Sequence, residues 1–266
     1  MKRTSRVLIL ICLFFLSGCK AIINKVAFHP DTDQVLQLHE LPEGIEELIV
    51  TTADEVQLTS LFLPAVNSEK LVIYFHGNAG NLYSRIPSLL QIRAAGLNVI
   101  GVGYRGYGKS EGRPSEQGLY LDGETLFEYA KSQLGFSEKN IFILGRSIGT
   151  TVAIEVAQRK DIAGLILVTP LTSAKEIAKQ SSLAPVAFLA GNALNNLGKL
   201  ENLQSPLLVV HGTEDGITPY SMGIQIYETA LVEKQLVTIE GAGHNNLQDQ
   251  YAQQYWPPIL GFIEER

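Results

Sequence analysis

A serine followed along the chain by a carboxylate and a histidine can carry nucleophilic catalysis, and Ser147 sits in a setting suited to it. It lies in Gly145-Arg146-Ser147-Ile148-Gly149, after an apolar, β-branched run from Ile141 to Leu144 and before a helical pattern that starts at Thr150. A strand that turns at once into a helix presents the residue between them on a strained tip. Glycines are needed where the two cross too closely for a Cβ. A serine hydroxyl alone is a poor nucleophile at neutral pH. It requires a base within hydrogen-bond reach, and the base requires a carboxylate to fix its tautomer and stabilise the imidazolium.

The candidate bases are five histidines, at 29, 39, 76, 211 and 244. His244, in Gly241-Ala242-Gly243-His244, alone follows the last strand pattern. His211 closes an apolar run ahead of Gly212-Thr213-Glu214-Asp215 and reads as structural. His76 heads His76-Gly77-Asn78 and reads as a brace for that loop, because a base must also meet an acid. Glu214 and Asp215 are rival acids, and aspartate is common in such turns for turn chemistry alone. No two histidines stand at i,i+4, and both cysteines, Cys12 and Cys19, fall in the first nineteen residues. The body is therefore expected to hold no disulfide, thiolate nucleophile or metal, and to need no cofactor.

These residues need a frame. Ile45 to Thr52 and Val56 to Leu63 read as an antiparallel hairpin around Ala53-Asp54-Glu55. The continuous apolar run Leu71–Phe75 has the signature of a strand buried on both faces, Leu97–Val102 reads as the next buried strand, and strands follow at Ile141–Leu144, Gly164–Val168, Pro206–Val210 and Glu233–Ile239. Helical patterns alternate with them at Ile86–Ala95, Glu116–Leu134 (Ser115 as N-cap), from Thr150, and at Tyr220–Leu231 and Tyr251–Glu264, the last interrupted by Pro257 and Pro258. The alternation predicts an α/β fold whose sheet is mostly parallel, with helices on both faces. Thr169 to Leu200 is the least regular part, with a helix at Ser173–Gln180 and an apolar run from Leu183. Leu183 to Leu189 can line an acyl-binding cleft or form a core helix; the core helix is the plainer reading.

At 266 residues, with 45% hydrophobic content and 24 glycines, the chain suits one large domain with many tight turns. The net charge of −6, with no basic cluster, excludes a nucleic-acid footprint. Oligomeric state is not readable.

Five segments occur in order: Phe75-His-Gly-Asn-Ala-Gly-Asn81, Gly103-Tyr-Arg-Gly-Tyr-Gly-Lys-Ser-Glu-Gly-Arg-Pro-Ser-Glu116, Gly145 to Gly149, His211 to Asp215, and Gly241 to His244. Together they resemble the α/β-hydrolase superfamily, in the branch of bacterial lipoproteins similar to eukaryotic membrane-associated depalmitoylases and lysophospholipases. The resemblance covers about 70–245, and implies Ser147, Asp215 and His244 as triad with the Asn78 and Ile148 amides as oxyanion donors. It favours Asp215 over Glu214. It leaves Tyr104 to Ser110 as a structural loop, with Arg105 in an ion pair, rather than a substrate contact.

Lys2, Arg3 and Arg6 precede an apolar Val7–Leu16, too short to span a bilayer comfortably, and Leu16-Ser17-Gly18-Cys19 resembles a bacterial lipobox. Residues 1–18 are thus expected to be a lipoprotein signal peptide and 19–44 a lipidated Cys19 with a polar connector. Residues 45–266 would be the hydrolase domain, with a short insertion near 170–200. Lys20, in place of an aspartate, favours the outer membrane if the host is Gram-negative. The expected protein is a serine hydrolase tethered to the cell envelope and cleaving acyl ester or thioester bonds, palmitoyl among them. The alternatives are a serine aminopeptidase-like hydrolase and an inactive binding lipoprotein of the same fold.

Overall fold

The computed structural model describes Asn24 and residues 27–266, so the signal peptide and Cys19 expected above lie outside the described residues. Eight strands form one sheet: β1 (Glu46–Thr51), β2 (Gln57–Leu63), β3 (Leu71–Phe75), β4 (Asn98–Gly101), β5 (Ile141–Arg146), β6 (Gly164–Val168), β7 (Leu207–Gly212) and β8 (Lys234–Ile239). Their spatial order is β1-β2-β4-β3-β5-β6-β7-β8. The β1–β2 hairpin (Glu46 opposite Phe62, Thr51 opposite Gln57) is antiparallel, as is the β2–β4 pairing; all other neighbours are parallel.

The apolar runs are continuous because both faces are covered, and the two-residue period deals alternate side chains to different cores. Leu71, Ile73, Ile143, Leu165 and Val209 face one core, and Val72, Tyr74, Leu144, Ile166 and Val210 the other. Helices α2 (Glu116–Ser132), α3 (Gly149–Ala157) and α6 (Tyr220–Thr229) cover the first; α1 (Ile86–Ala94) and α7 (Ala252–Glu264) cover the second. Two short helices, α4 (Ala174–Lys179) and α5 (Leu197–Leu200), lie between β6 and β7. From β3 the chain moves outward to β4 and then back across to β5. Such a reversal opens a crevice at the carboxyl ends of the strands, where open α/β sheets bind ligands.

Two expectations are corrected. Pro257 and Pro258 do not interrupt the closing helix, which is continuous through both. Each removes an i→i−4 bond, but the carbonyls left over belong to exposed Gln253 and Gln254, where water can serve them. Meanwhile Tyr255, Trp256, Ile259, Phe262 and Ile263 are buried, each worth roughly 1.5–3 kcal/mol. Secondly, Leu183 to Leu189 is not a core helix. Ala184–Ala190 is a 3-10 helix whose apolar side chains are mostly exposed.

Residues 27–36 are attached to the body at a few points. Phe28 is buried, Val35 and Leu36 pack on the second core, and Asn81 Nδ2 donates to the carbonyls of Asp31 and Gln34. No helix among the described residues is long and apolar enough to cross a membrane.

Candidate active site

Ser147 stands between β5 and α3 with φ +54°, a left-handed conformation that costs a side-chain-bearing residue strain. Its N–H donates to Val168 O at 2.9 Å, and its carbonyl accepts from Thr150 Oγ1 at 2.6 Å. The flanking glycines are sterically required. A Cβ on Gly149 would lie 2.2 Å from Phe75 O, and one on Gly145 would lie 2.7 Å from Gly149 O and Thr150 Cα.

The structure brings His244 and Asp215 to this serine. His244 Nε2 is 2.9 Å from Ser147 Oγ, and His244 Nδ1 is 2.7 Å from Asp215 Oδ2. With Nδ1–H donating to the carboxylate, Nε2 is left to accept the serine proton. The Asp215 side chain is fully buried, and its Oδ1 accepts the amide N–H groups of Ile217 and Thr218. Burial alone would raise its pKa; the hydrogen bonds from His211, His244 and the Ile217 amide outweigh that and hold it well below the ordinary carboxylate value. Glu214, one residue away, is exposed and its amide is tied to Ala242 O.

The other histidines take supporting places. His211 Nε2 donates to Thr218 O at 2.8 Å and lies 3.4 Å from Asp215 Oδ2, so it holds the acid loop from behind. Gly223 makes room for it: a Cβ there would meet His211 Nδ1 at 2.3 Å. His76 is fully buried, 4.4 Å from the Tyr104 ring, with Nδ1 bonded to Gly77 O, and meets no carboxylate among the described residues. Burial lowers its pKa to about 3, against the opposing Gly77 bond, so it is neutral in the fold.

Asn78 and Ile148 both line the cavity beside Ser147, and among the described residues neither backbone N–H has an acceptor. Two such amides beside a serine hydroxyl are placed where they could stabilise an alkoxide. The Asn78 side chain is latched: Nδ2 donates to Ala27 O at 2.7 Å, and Oδ1 accepts from the His29 N–H at 2.8 Å and the Tyr107 hydroxyl at 2.9 Å. Arg105 pairs with both Asp54 and Asp122, and none of Tyr104 to Ser110 lines the cavity, so that segment supports the site from beneath.

Three contributors were not read from the sequence. Arg146 Nη2 donates to His244 O at 2.8 Å and to Asn245 Oδ1 at 3.2 Å, so the residue before the serine also anchors the histidine loop. Thr218 Oγ1 lies 3.0 Å from Asp215 Oδ2 and 3.1 Å from His244 Nδ1. Ala27, from the connector, lines the cavity. The only sequence cue was an arginine closing an apolar strand, since the partners of Arg146 and Ala27 are distant in the chain.

The cavity above Ser147 measures about 330 Å³. Leu171, Ile177, Leu183, Val186, Leu189 and Ile217 form much of its wall, and among the described residues none that lines it is charged. No cluster of metal-ligating side chains occurs among the described residues.

Residues 67–199 match the family model described as serine aminopeptidase, S33. Mouse α/β-hydrolase domain-containing protein 17C is 32% identical over 223 residues, covering 83% of this chain and 68% of that one. The Caenorhabditis elegans α/β-hydrolase domain-containing protein aho-3 is 31% identical over 265 residues, covering 92% and 78%. Among solved structures, the Pyrococcus furiosus esterase Pf2001 superposes with a TM-score of 0.75 at 18% identity, covering 90% of this chain and 96% of that one. An α/β-hydrolase from Vibrio vulnificus gives 0.72 at 22% identity, covering 94% and 92%. The chain is a hydrolase that belongs to the α/β-hydrolase superfamily and, within it, to the serine aminopeptidase S33 family.

Proposed function

We propose that this hydrolase cleaves acyl ester or thioester bonds through an acyl-enzyme on Ser147, and does so while tethered to a membrane by a lipidated Cys19. His244 takes the Ser147 proton as Oγ attacks the acyl carbonyl, and the alkoxide oxygen turns to the amides of Asn78 and Ile148. The protonated imidazole, held by Asp215, then returns its proton to the leaving alcohol or thiol. Water repeats the sequence on the acyl-serine and releases the acid. The signal peptide (1–18), connector (19–44) and domain (45–266) divide the chain accordingly, with the outer membrane as destination in a Gram-negative host.

The observation that carries this reading is the continuous path Asp215–His244–Ser147, with contacts of 2.7 and 2.9 Å, beneath an apolar cavity. Walls that are uncharged among the described residues suit an acyl chain, the P. furiosus neighbour is an esterase, and the branch resemblance adds palmitoyl thioesters. Aminopeptidase action would call for a carboxylate to grip the substrate's ammonium group, and among the described residues the cavity wall offers none. The test is a panel of p-nitrophenyl esters and acyl thioesters of rising chain length beside aminoacyl p-nitroanilides. Cleavage of the acyl series, lost in His244→Ala, is expected. Cleavage of the anilides alone would overturn the reading.

A further inference from the structure

Among the described residues, exposed large apolar side chains are unevenly distributed. Leu38, Ile49, Val66 and Leu231 lie singly on separate elements, whereas Leu183, Val186, Phe188, Leu189 and Ile217 gather at the mouth of the Ser147 cavity. Four of these five line the cavity; the fifth, Phe188, is 67% exposed and on the same 3-10 helix. A contiguous patch of this kind marks a contact with another apolar phase, which scattered single residues do not.

The connector tells which phase. Ala27 lines the cavity, and the Asn78 side chain holds Ala27 and His29, while Gly108 and Asn81 hold the Asp31 carbonyl. Ala27, near the N-terminal limit of the described residues, therefore sits at the cavity rim. Ala27 stands eight positions after Cys19, a stretch that reaches at most about 29 Å whatever its conformation. A compact chain of this length has a radius of gyration of about 18 Å, and so a body on the order of 45 Å across. A tether so short cannot present the far side of that body to the surface in which its anchor is embedded.

We propose that this rim is a bilayer-docking surface: Phe188 and its apolar neighbours enter the interfacial region of the membrane that holds the Cys19 acyl chains, and the cavity takes its acyl substrate from that interface. The proposal rests on the tethered reading above. Docking adds an apolar contact to the covalent anchor, and two membrane signals together hold a peripheral protein more firmly than one.

The test uses the full chain, purified from membranes and reconstituted into vesicles of phosphatidylethanolamine with phosphatidylglycerol. The only native thiols are Cys12 and Cys19, so an environment-sensitive thiol fluorophore reports a single introduced site once those are removed or acylated. Phe188→Cys is the probe, and Val66→Cys, 89% exposed just after β2, the control. Nitroxide-bearing lipids should quench the Phe188→Cys probe several-fold more than the control, with a blue shift at position 188 alone. Equal quenching, while the wild-type chain takes no label, overturns the docking surface and leaves the anchor intact. Label on the wild-type chain shows a free thiol and overturns the tether, and the orientation with it. Shielding at position 188 that depends on protein concentration before vesicles are added assigns the patch to a second copy of the chain, which also overturns the proposal.

Discussion

Arg146 makes a sharp prediction, because it touches neither the cavity nor Ser147 Oγ, yet holds the His244 main chain. Arg146→Ala removes a charge-assisted bond of 2.8 Å to His244 O and a longer one to Asn245 Oδ1. A hydrogen bond to a charged group contributes about 1.5–3 kcal/mol. If the loss appears as misalignment of the imidazole, kcat falls roughly 10- to 150-fold. Arg146 is absent from the cavity wall, so KM for a short soluble ester should change little. Steady-state kinetics on p-nitrophenyl butyrate reads both constants, and circular dichroism confirms that the variant is folded. Arg146→Lys, which keeps the charge and can still reach one acceptor, should recover part of the loss. A folded Arg146→Ala with wild-type kcat would refute the argument that this arginine sets the histidine's position.

Asn78→Ala keeps the backbone donor but releases the latch to Ala27, His29 and Tyr107, and should cost roughly tenfold or more in kcat, within the range known for damaged oxyanion sites. Initial rates at saturating substrate check it. Asp215→Asn should lower kcat by roughly 10³–10⁴-fold, whereas Glu214→Gln, at an exposed position, should leave it within about twofold. The same ester assay decides between them. His76 carries a pH dependence of stability. Its folded pKa of about 3 lies below the ordinary 6.5, so below pH 6.5 the unfolded chain takes up a proton that the fold refuses. Stability is thus lost as pH falls, by about 2 kcal/mol between pH 7 and 5 from this group. Urea unfolding at the two pH values should show a smaller drop for His76→Gln than for wild type; parallel drops would contradict the assignment.

The buried strands were legible because a strand covered on both faces must be apolar at every position, as Leu71–Phe75 is. The elbow was legible for a steric reason: the 2.2 Å approach of Phe75 O to a Cβ on Gly149 leaves glycine as the residue that fits. Leu183 to Leu189 misled because a cavity wall and a core helix demand the same side chains, and only solvent exposure separates them. Pro257 and Pro258 misled because the local backbone penalty was visible and the buried face offsetting it was not. The work of Arg146 and Asn78 was hidden for another reason. They bond largely to main-chain atoms of residues 98 and 51 positions away, and a main-chain carbonyl leaves no mark in the amino-acid alphabet.

The central claim, that Ser147 is an activated nucleophile, is tested most directly by fluorophosphonate labelling of the full chain beside Ser147→Ala. Covalent labelling of the wild type, mapped by mass spectrometry to Ser147 and absent from the variant, is the result predicted. A folded wild-type chain that takes no label, or a Ser147→Ala variant that labels equally, would contradict the account.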